Sequence, residues 1–277
     1  MALDWLWLLL LGLGTGTYGV LVGAGGGFIL APALLIFFDI EPGVVAGTSL
    51  ALVAINSVSG TFAYRRLGLI DYRSALLFAA AAIPGSVIGP FVVKQVHGDT
   101  FRIAFGILLI ALTVQMALRS IRLAVRPKKF ATAAGFSVRG RRIVTKSGQV
   151  FEYRFNEALA TSINVALGFM SSFFGTGGGF IRTPLLITAF GFPVRVAVAT
   201  SVFTLSIYTL AGTATHASLG HIDWYPTLIW AGLGVIVGGQ VGAMLGGRLQ
   251  SRSILWLLMV VLFALGTSLL VQGLAGG

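Results

Sequence analysis

Arg182 is the one charged residue that the sequence places well inside an apolar stretch, following the glycine run of "FGTGGGFIRTP", Phe174 to Pro184. An ionisable group at membrane depth marks a functional position. Its guanidinium offers a planar fork of donors that matches paired anionic oxygens. The alternative is that Arg182 snorkels from a short helix to the interface, and the sequence leaves both readings open. A second stretch, "VGAGGGFILAP" from Val22 to Pro32, has the same glycines and proline but carries Leu30 in place of the arginine. All eight acids, Asp4, Asp39, Glu41, Asp71, Asp99, Glu152, Glu157 and Asp223, fall in predicted loops or helix ends. A transported cation would call for a carboxylate within a helix, so the chemistry points to an anion.

The segments after the glycines, Phe28 to Phe38 and Phe180 to Phe190, are about eleven residues long, or roughly 16 Å of helix. That is half the hydrocarbon thickness, so each is expected to be the return arm of a helical hairpin. The glycines form its tip, where a missing β-carbon permits a sharp turn and close backbone approach. The N–H groups of Gly26, Gly27 and Phe28, and of Gly178, Gly179 and Phe180, then open helices whose positive dipole ends can hold an anion. Gly25 and Gly177 complete the two candidate tips. The competing reading is close helix packing, which is also how the ladder Gly234, Gly238, Gly242 and Gly246 is read. Thr48-Ser49 and Thr200-Ser201 begin the following helices, where their hydroxyls can reach a ligand at a tip or bond back to their own backbone. Asn56 is a further polar residue in mid-helix. His216 and His221 flank a loop, as a proton relay or as plain polar surface.

The elements that carry these residues must lie in a bilayer. The 277 residues are 56% hydrophobic and 10% charged, outside the range of soluble domains. Apolar runs long enough to span, which takes roughly 20 residues, occur at Leu6 to Val22, Val44 to Tyr64, Ala75 to Val93, Ile103 to Leu118, Ala158 to Phe174, Val194 to Thr215, Leu228 to Leu245 and Ile254 to Val271. The fold class is an all-α polytopic membrane protein. The start, "MALDWLWLLL", lacks the basic flank of a cleaved signal and is expected to stay as the first span. No cysteine is present, which excludes disulfides and thiolate sites.

A shift of 152 residues, the separation of Gly23 and Gly175, also brings Pro32 onto Pro184, Thr48-Ser49 onto Thr200-Ser201, Gly60-Thr61 onto Gly212-Thr213, and Gly68 to Tyr72 onto Gly220 to Trp224. The chain is therefore read as a duplication. Residues 1–120 form repeat 1, 121–155 a basic linker and 156–277 repeat 2, each repeat a glycine-tipped hairpin plus three transmembrane helices. Loop charge makes the repeats inverted. With the linker in the cytoplasm, Arg65 to Arg73, Arg195 and Arg248 to Arg252 lie inside, whereas Asp39 to Glu41, Lys94 to Arg102 and the loop from His216 to Trp224 lie outside, as do both termini. Inversion brings the two tips face to face at the midplane.

The net charge of +11 is concentrated in the linker, where ten of the 19 basic residues fall between Arg119 and Arg154. This is the bias of a cytoplasmic loop rather than a nucleic-acid surface. Within it, "FSVRGRRIVTKSGQVFEYRF" alternates about Ser147-Gly148 and predicts a small β-hairpin lying against anionic headgroups. "GTGTYG", Gly14 to Gly19, matches a dinucleotide fingerprint but lies in an apolar helix without a preceding strand. No nucleotide, metal or hydrolase motif is present, so no cofactor and no enzymatic activity are expected.

"GAGGGFILAP" and "GTGGGFIRTP", the "GTSLA" and "ATSVF" segments that follow them, and the small-residue helices Ala79 to Gly89 and Gly232 to Gly247 resemble the TauE/SafE sulfite exporter family, also called the toluene sulfonate uptake permeases. The resemblance covers nearly the whole chain except the linker. It implies a bacterial inner-membrane transporter of small sulfur-containing anions such as sulfite, sulfoacetate or other organosulfonates, and with the tips as read above the expectation is a secondary transporter that binds the anion between them and works by alternating access. The rival readings are a passive anion channel and a membrane scaffold. Expected partners are the anion, the lipid bilayer and a second copy in a homo-oligomer.

Overall fold

The computed structural model describes residues 4–38, 40–125, 137–246 and 252–275. Asp39, the linker residues Arg126, Lys128 and Lys129, Arg248 and both chain ends lie outside the described residues. In chain order the elements are α1 (Asp4–Val22), α2 (Gly27–Phe37), α3 (Pro42–Leu67), α4 (Tyr72–Val93), α5 (Gly98–Val125), β1 (Val138–Val144), β2 (Val150–Asn156), α6 (Glu157–Phe174), α7 (Gly179–Thr188), α8 (Val194–Ser218), an irregular turn Trp224–Leu228, α9 (Ile229–Leu245) and α10 (Arg252–Ala275). Six of the eight expected spans are helices long and apolar enough to cross a membrane: α1, α3, α4, α5, α8 and Trp224–Leu245. In α6 the apolar character is diluted by Glu157 and Asn164, and the described apolar part of α10, Met259–Ala275, is shorter. The arms α2 and α7 hold 11 and 10 residues.

Local chemistry sets the ends. Pro42 opens α3, where its missing N–H costs nothing. Asp71 caps α4 by accepting from the Ser74 N–H at 3.2 Å. Asn156 caps α6 through the Leu159 N–H at 3.1 Å.

Contacts between the halves come in matched pairs. Helix α1 packs along α9 as α6 packs along α4, α3 crosses α8, and α5 lies along α10. A β-carbon on Gly234, Gly238 or Gly242 would strike the backbone of α1 near Leu9, Leu13 or Thr17. On the other side, one on Gly85 or Gly168 would strike α6 at Val165 or α4 at Ala82. These are close-packed seams, which bring helices together in lipid by van der Waals contact. Gly16, within the apparent nucleotide fingerprint, lies against Val235 of α9.

Strands β1 and β2 pair antiparallel from Val138↔Asn156 to Val144↔Val150. One face of this hairpin, with Tyr153 and Phe155, is buried against Phe78, Phe190 and Phe192 of the helical body. The hairpin thus rests on protein along that face, while Arg142 and Glu152 remain outward.

Candidate functional site

The two glycine tips have one backbone form. Gly26 and Gly178 cap α2 and α7 with φ of +89° and +65°, a left-handed conformation that a residue with a β-carbon adopts only under strain. Each carbonyl accepts two first-turn N–H groups, from Ile29 and Leu30 at 3.1 and 3.2 Å, and from Ile181 and Arg182 at 3.3 and 3.1 Å. The N–H groups of Gly26, Gly27 and Phe28, and of Gly178, Gly179 and Phe180, have no acceptor among the described residues. They are the free donors that a helix start leaves over.

The tips touch. The Phe28 and Phe180 rings lie 5.6 Å apart. A β-carbon on Gly27 would come within 2.5 Å of the Gly175 carbonyl oxygen, and one on Gly179 would collide with that of Gly23. Gly25 and Gly177 both face Val53, each with 2.7 Å between the β-carbon position and Cγ1. The glycines therefore serve contact between the tips as well as the turns.

Polar side chains brace this contact. Asn56 Nδ2 donates to the Gly25 carbonyl at 3.0 Å, and the Tyr208 hydroxyl, its counterpart in repeat 2, donates to the Gly177 carbonyl. Ser49 and Ser201 donate to the carbonyls of Gly27 and Gly23 at 3.5 and 2.8 Å. Thr48 and Thr200 are engaged elsewhere. Their hydroxyls accept the N–H groups of Asp223 and Asp71 at 2.8 and 3.1 Å, each from the opposite repeat.

Arg182 does not snorkel: it is 1% exposed, in the first turn of α7. Its Nε donates to Asn164 Oδ1 of α6 at 2.6 Å, and Asn164 is itself held by donating to the Ala160 carbonyl at 2.7 Å. The guanidinium carbon stands 4.9 Å from the centre of the Tyr208 ring. Both Nη1 and Nη2 are buried without a partner, and among the described residues no carboxylate pairs with them. A buried cation without a counter-charge carries a large desolvation penalty. The hydroxyls of Ser171, Ser172 and Thr176 are also buried and unpaired. Gly178 links Ser171 to the arginine's surroundings, because its β-carbon position is 3.1 Å from Tyr208 Oη and 3.3 Å from Ser171 Cβ, whereas Ser172 Oγ lies 2.9 Å from the β-carbon position of Gly212.

The positions 152 residues before Asn164, Ser171, Ser172, Thr176, Arg182 and Tyr208 hold Gly12, Gly19, Val20, Ala24, Leu30 and Asn56. The buried arginine thus belongs to the second tip, while the first keeps its own unpaired groups, Asn56 Oδ1 and the Ser57 hydroxyl, whose Oγ is 3.5 Å from the β-carbon position of Gly25. Asn164 and Tyr208 were not singled out from the sequence. The signal for Asn164 was present, as an amide in mid-helix with a glycine in the other repeat. Tyr208, in an ordinary aromatic run, gave none.

The family described as sulfite exporter TauE/SafE matches residues 8–269. The probable membrane transporter YunE of Bacillus subtilis is 31% identical over 265 residues, covering 93% of this chain and 94% of its own. The probable membrane transporter MJ0441 of Methanocaldococcus jannaschii is 26% identical, with 91% and 90% covered. The sulfite exporter TauE/SafE family protein 1 of Arabidopsis thaliana is 33% identical over 103 residues, covering 37% of this chain and 22% of its own. No solved structure matches.

Proposed function

Because the chain belongs to the TauE/SafE family of membrane transporters, we propose that it is a secondary transporter of a small sulfur-containing anion, sulfite or an organosulfonate, bound by Arg182 beneath the second glycine tip. The observation that carries this reading is the buried guanidinium with two unpaired nitrogens. The Nη1–Nη2 fork receives two oxygens of a sulfite or sulfonate, while the free N–H groups at the start of α7 and the Ser171 hydroxyl are donors for the remainder. Bound charge compensates the arginine, so the anion enters a site already arranged for it.

We read the repeats as inverted and the transport as alternating access about the paired tips, an arrangement that broken helices serve in other transporters. Loops given the same side by their charge gather at one end. Arg195 reaches Gln149 at 3.1 Å, Arg73 reaches Glu157 at 3.5 Å, and the Lys146 N–H donates to the Leu67 carbonyl at 3.3 Å. At the other end, His221 lies beside Gly43. Cysteines replacing Gly140 and Gly98 are expected to be labelled from the cytoplasm and from outside, respectively. Labelling from one side removes this topology.

The binding claim is tested by thermal stabilisation of purified protein with sulfite, sulfate, thiosulfate, sulfoacetate and taurine, because a ligand of the folded state raises its stability. At least one sulfur anion is expected to stabilise the wild type and not Arg182→Ala. Counterflow in liposomes then separates a transporter from a channel. Absence of any stabilisation or flux leaves the scaffold reading.

A further inference from the structure

Two histidines outside the anion site lie against one another where α8 ends. His216, fully buried, is in the last turn of α8, and His221, 9% exposed, follows in the loop. Their Nδ1 atoms are 3.2 Å apart, and His216 Nε2 lies 3.0 Å from the carbonyl oxygen of Ser172 in α6. A carbonyl can only accept, so His216 keeps its hydrogen on Nε2 and presents a bare Nδ1. His221 must then donate from Nδ1. This leaves His221 Nε2 as an open acceptor beside Gly43 at the start of α3. The neutral pair is a directed chain with a vacant proton position at its outer end.

The other repeat shows what a purely structural tie needs at this place. His216 corresponds to Tyr64 and Ser172 to Val20 under the 152-residue shift, and the Tyr64 hydroxyl donates to the Val20 carbonyl at 3.0 Å. The same helix-to-helix bond is thus made there by a phenol, which does not titrate near neutral pH. Leu69 stands in place of His221. Repeat 2 makes the bond with an imidazole and adds a second imidazole behind it.

We propose that the His216–His221 pair binds the proton that drives anion transport, taking it up at His221 Nε2. A hydrated proton adds to that nitrogen, and the Nδ1 hydrogen of His221 passes to Nδ1 of His216. His221 ends neutral with its hydrogen on Nε2, and His216 becomes the cation, donating from both nitrogens. A second proton is opposed, because two Nδ1 hydrogens cannot both fill the gap and the charges repel. The charged groups acting on His221 are Glu41, at the start of α3, which favours its proton, and Lys94, at the end of α4, which opposes it together with burial. Asp223, in the same loop, is held by the Thr227 hydroxyl at 2.5 Å. For His216 the titratable neighbour is His221 itself. The resulting charge is fixed to the Ser172 carbonyl of α6, next to Ser171 at the anion site, so occupation of the pair acts on the same helix whose Asn164 holds Arg182.

The coupling rests on the transporter reading, whereas the proton site does not, and the two are tested separately. The full chain in nanodiscs, labelled with nitrogen-15 in its three histidines, is titrated by NMR. His216 and His221 are expected to share one proton step, and His221→Gln is expected to abolish the step at His216. Independent uptake of a full proton by each ring, or no response in either, overturns the proposal. In proteoliposomes the probe is methanesulfonate, which has no titratable group near neutral pH. A one-unit pH gradient drives on the order of ten-fold accumulation for one proton per anion. His216→Gln and His221→Gln are expected to keep exchange but lose that accumulation, and accumulation surviving in both overturns the coupling. If wild-type vesicles move no methanesulfonate, the transport of this sulfonate fails, and the shared titration still decides the proton site.

Discussion

The two glycine tips share a backbone and differ in chemistry. Both turn through a left-handed glycine, both leave first-turn N–H groups open, and both have a carbonyl braced by a side chain from the long helix that follows, Asn56 or Tyr208. Among the described residues only the second has a buried cation with vacant donors, whereas unpaired hydroxyls lie near both, Ser57 and Tyr18 at the first and Ser171 at the second. A frame common to both halves is what folding requires. The departure from it in one half carries the proposed anion site, because an uncompensated guanidinium stabilises nothing by itself.

The largest effects are expected where the comparison holds equally on both sides. Gly26→Val and Gly178→Val place a β-branched side chain on left-handed backbone, at about 1–3 kcal/mol, and overpack a closed contact, at a further ~1–3 kcal/mol. At Gly26 the β-carbon position is 2.5 Å from the Thr15 carbonyl oxygen, and at Gly178 it is 3.0 Å from that of Leu167. Both variants are expected to lose thermal stability and folded yield, Gly26→Val the more. Gly14→Ala is the control, since nothing lies within 4 Å of its β-carbon position. A fully stable Gly178→Val that also binds sulfite as well as wild type would reduce the tip to an ordinary turn.

Arg182→Leu breaks the comparison by giving the second tip the residue of the first. It removes an unpaired buried charge and is expected to raise the stability of the anion-free protein, on the order of 1–4 kcal/mol. Anion-dependent stabilisation is expected to disappear. Arg182→Lys retains charge without the fork and should weaken binding less than Arg182→Gln, while loss of the side chain costs about 10-fold to 100-fold in affinity, as charge-assisted bonds of roughly 1.5–3 kcal/mol imply. Leu30→Ala, the reciprocal probe, is expected to cost about 2–5 kcal/mol of stability as a cavity and to leave affinity intact. Calorimetry with and without sulfite reads both quantities. Equal affinity in wild type and Arg182→Leu would remove Arg182 from the site.

What was legible in the sequence follows the same division. Apolar runs, short arms and the recurring glycines are local signals, and they locate the helices and the broken segments because length and missing β-carbons act locally. Arg182 stood out because charge is rare in such runs, but its burial depends on Asn164 and Tyr208, which come from two other helices. The placement of Thr48 and Thr200 had no local signature either. Each hydroxyl caps a loop of the other repeat, and only the crossing of α3 over α8 brings those loops within reach. The same crossing buries His216, which the sequence sets at the edge of a loop.

A smaller effect separates the His216–His221 end from the end that carries Tyr64 and Leu69. Burial holds the His221 imidazole below its ordinary value of 6.5; Lys94 adds to this and Glu41 opposes it. A base whose folded pKa is lowered binds its proton more readily when unfolded. Stability is therefore full above the ordinary imidazole value and declines as pH falls through it. A melting series across that range is expected to show the decline in wild type and to flatten only when both rings are replaced, in the double variant His216→Gln with His221→Gln, because His216 left alone still takes its proton on unfolding. An unchanged slope in the variant would assign the pH dependence to other groups.

The smallest difference concerns the two threonines and decides whether they belong to the tips. Thr200→Val and Thr48→Val each remove the acceptor of one N–H group and keep the side-chain shape. The N–H of Asp71 is buried, whereas that of Asp223 is partly buried, and an N–H left without an acceptor costs about 1–3 kcal/mol only where water cannot replace it. Asp71 is also the more constrained residue, held by the hydroxyls of Tyr153 and Ser74 at 2.7 and 2.5 Å and by Arg141 at 3.5 Å, so it cannot shift to find another partner. Asp223 is held by Thr227 and borders a half-buried loop. Thr200→Val is therefore expected to lower the melting temperature more than Thr48→Val, and neither is expected to change the affinity for sulfite. Weakened binding in either variant at unchanged stability would return that hydroxyl to the anion site and shift the contact with Asp71 or Asp223 to a resting arrangement that the ligand replaces.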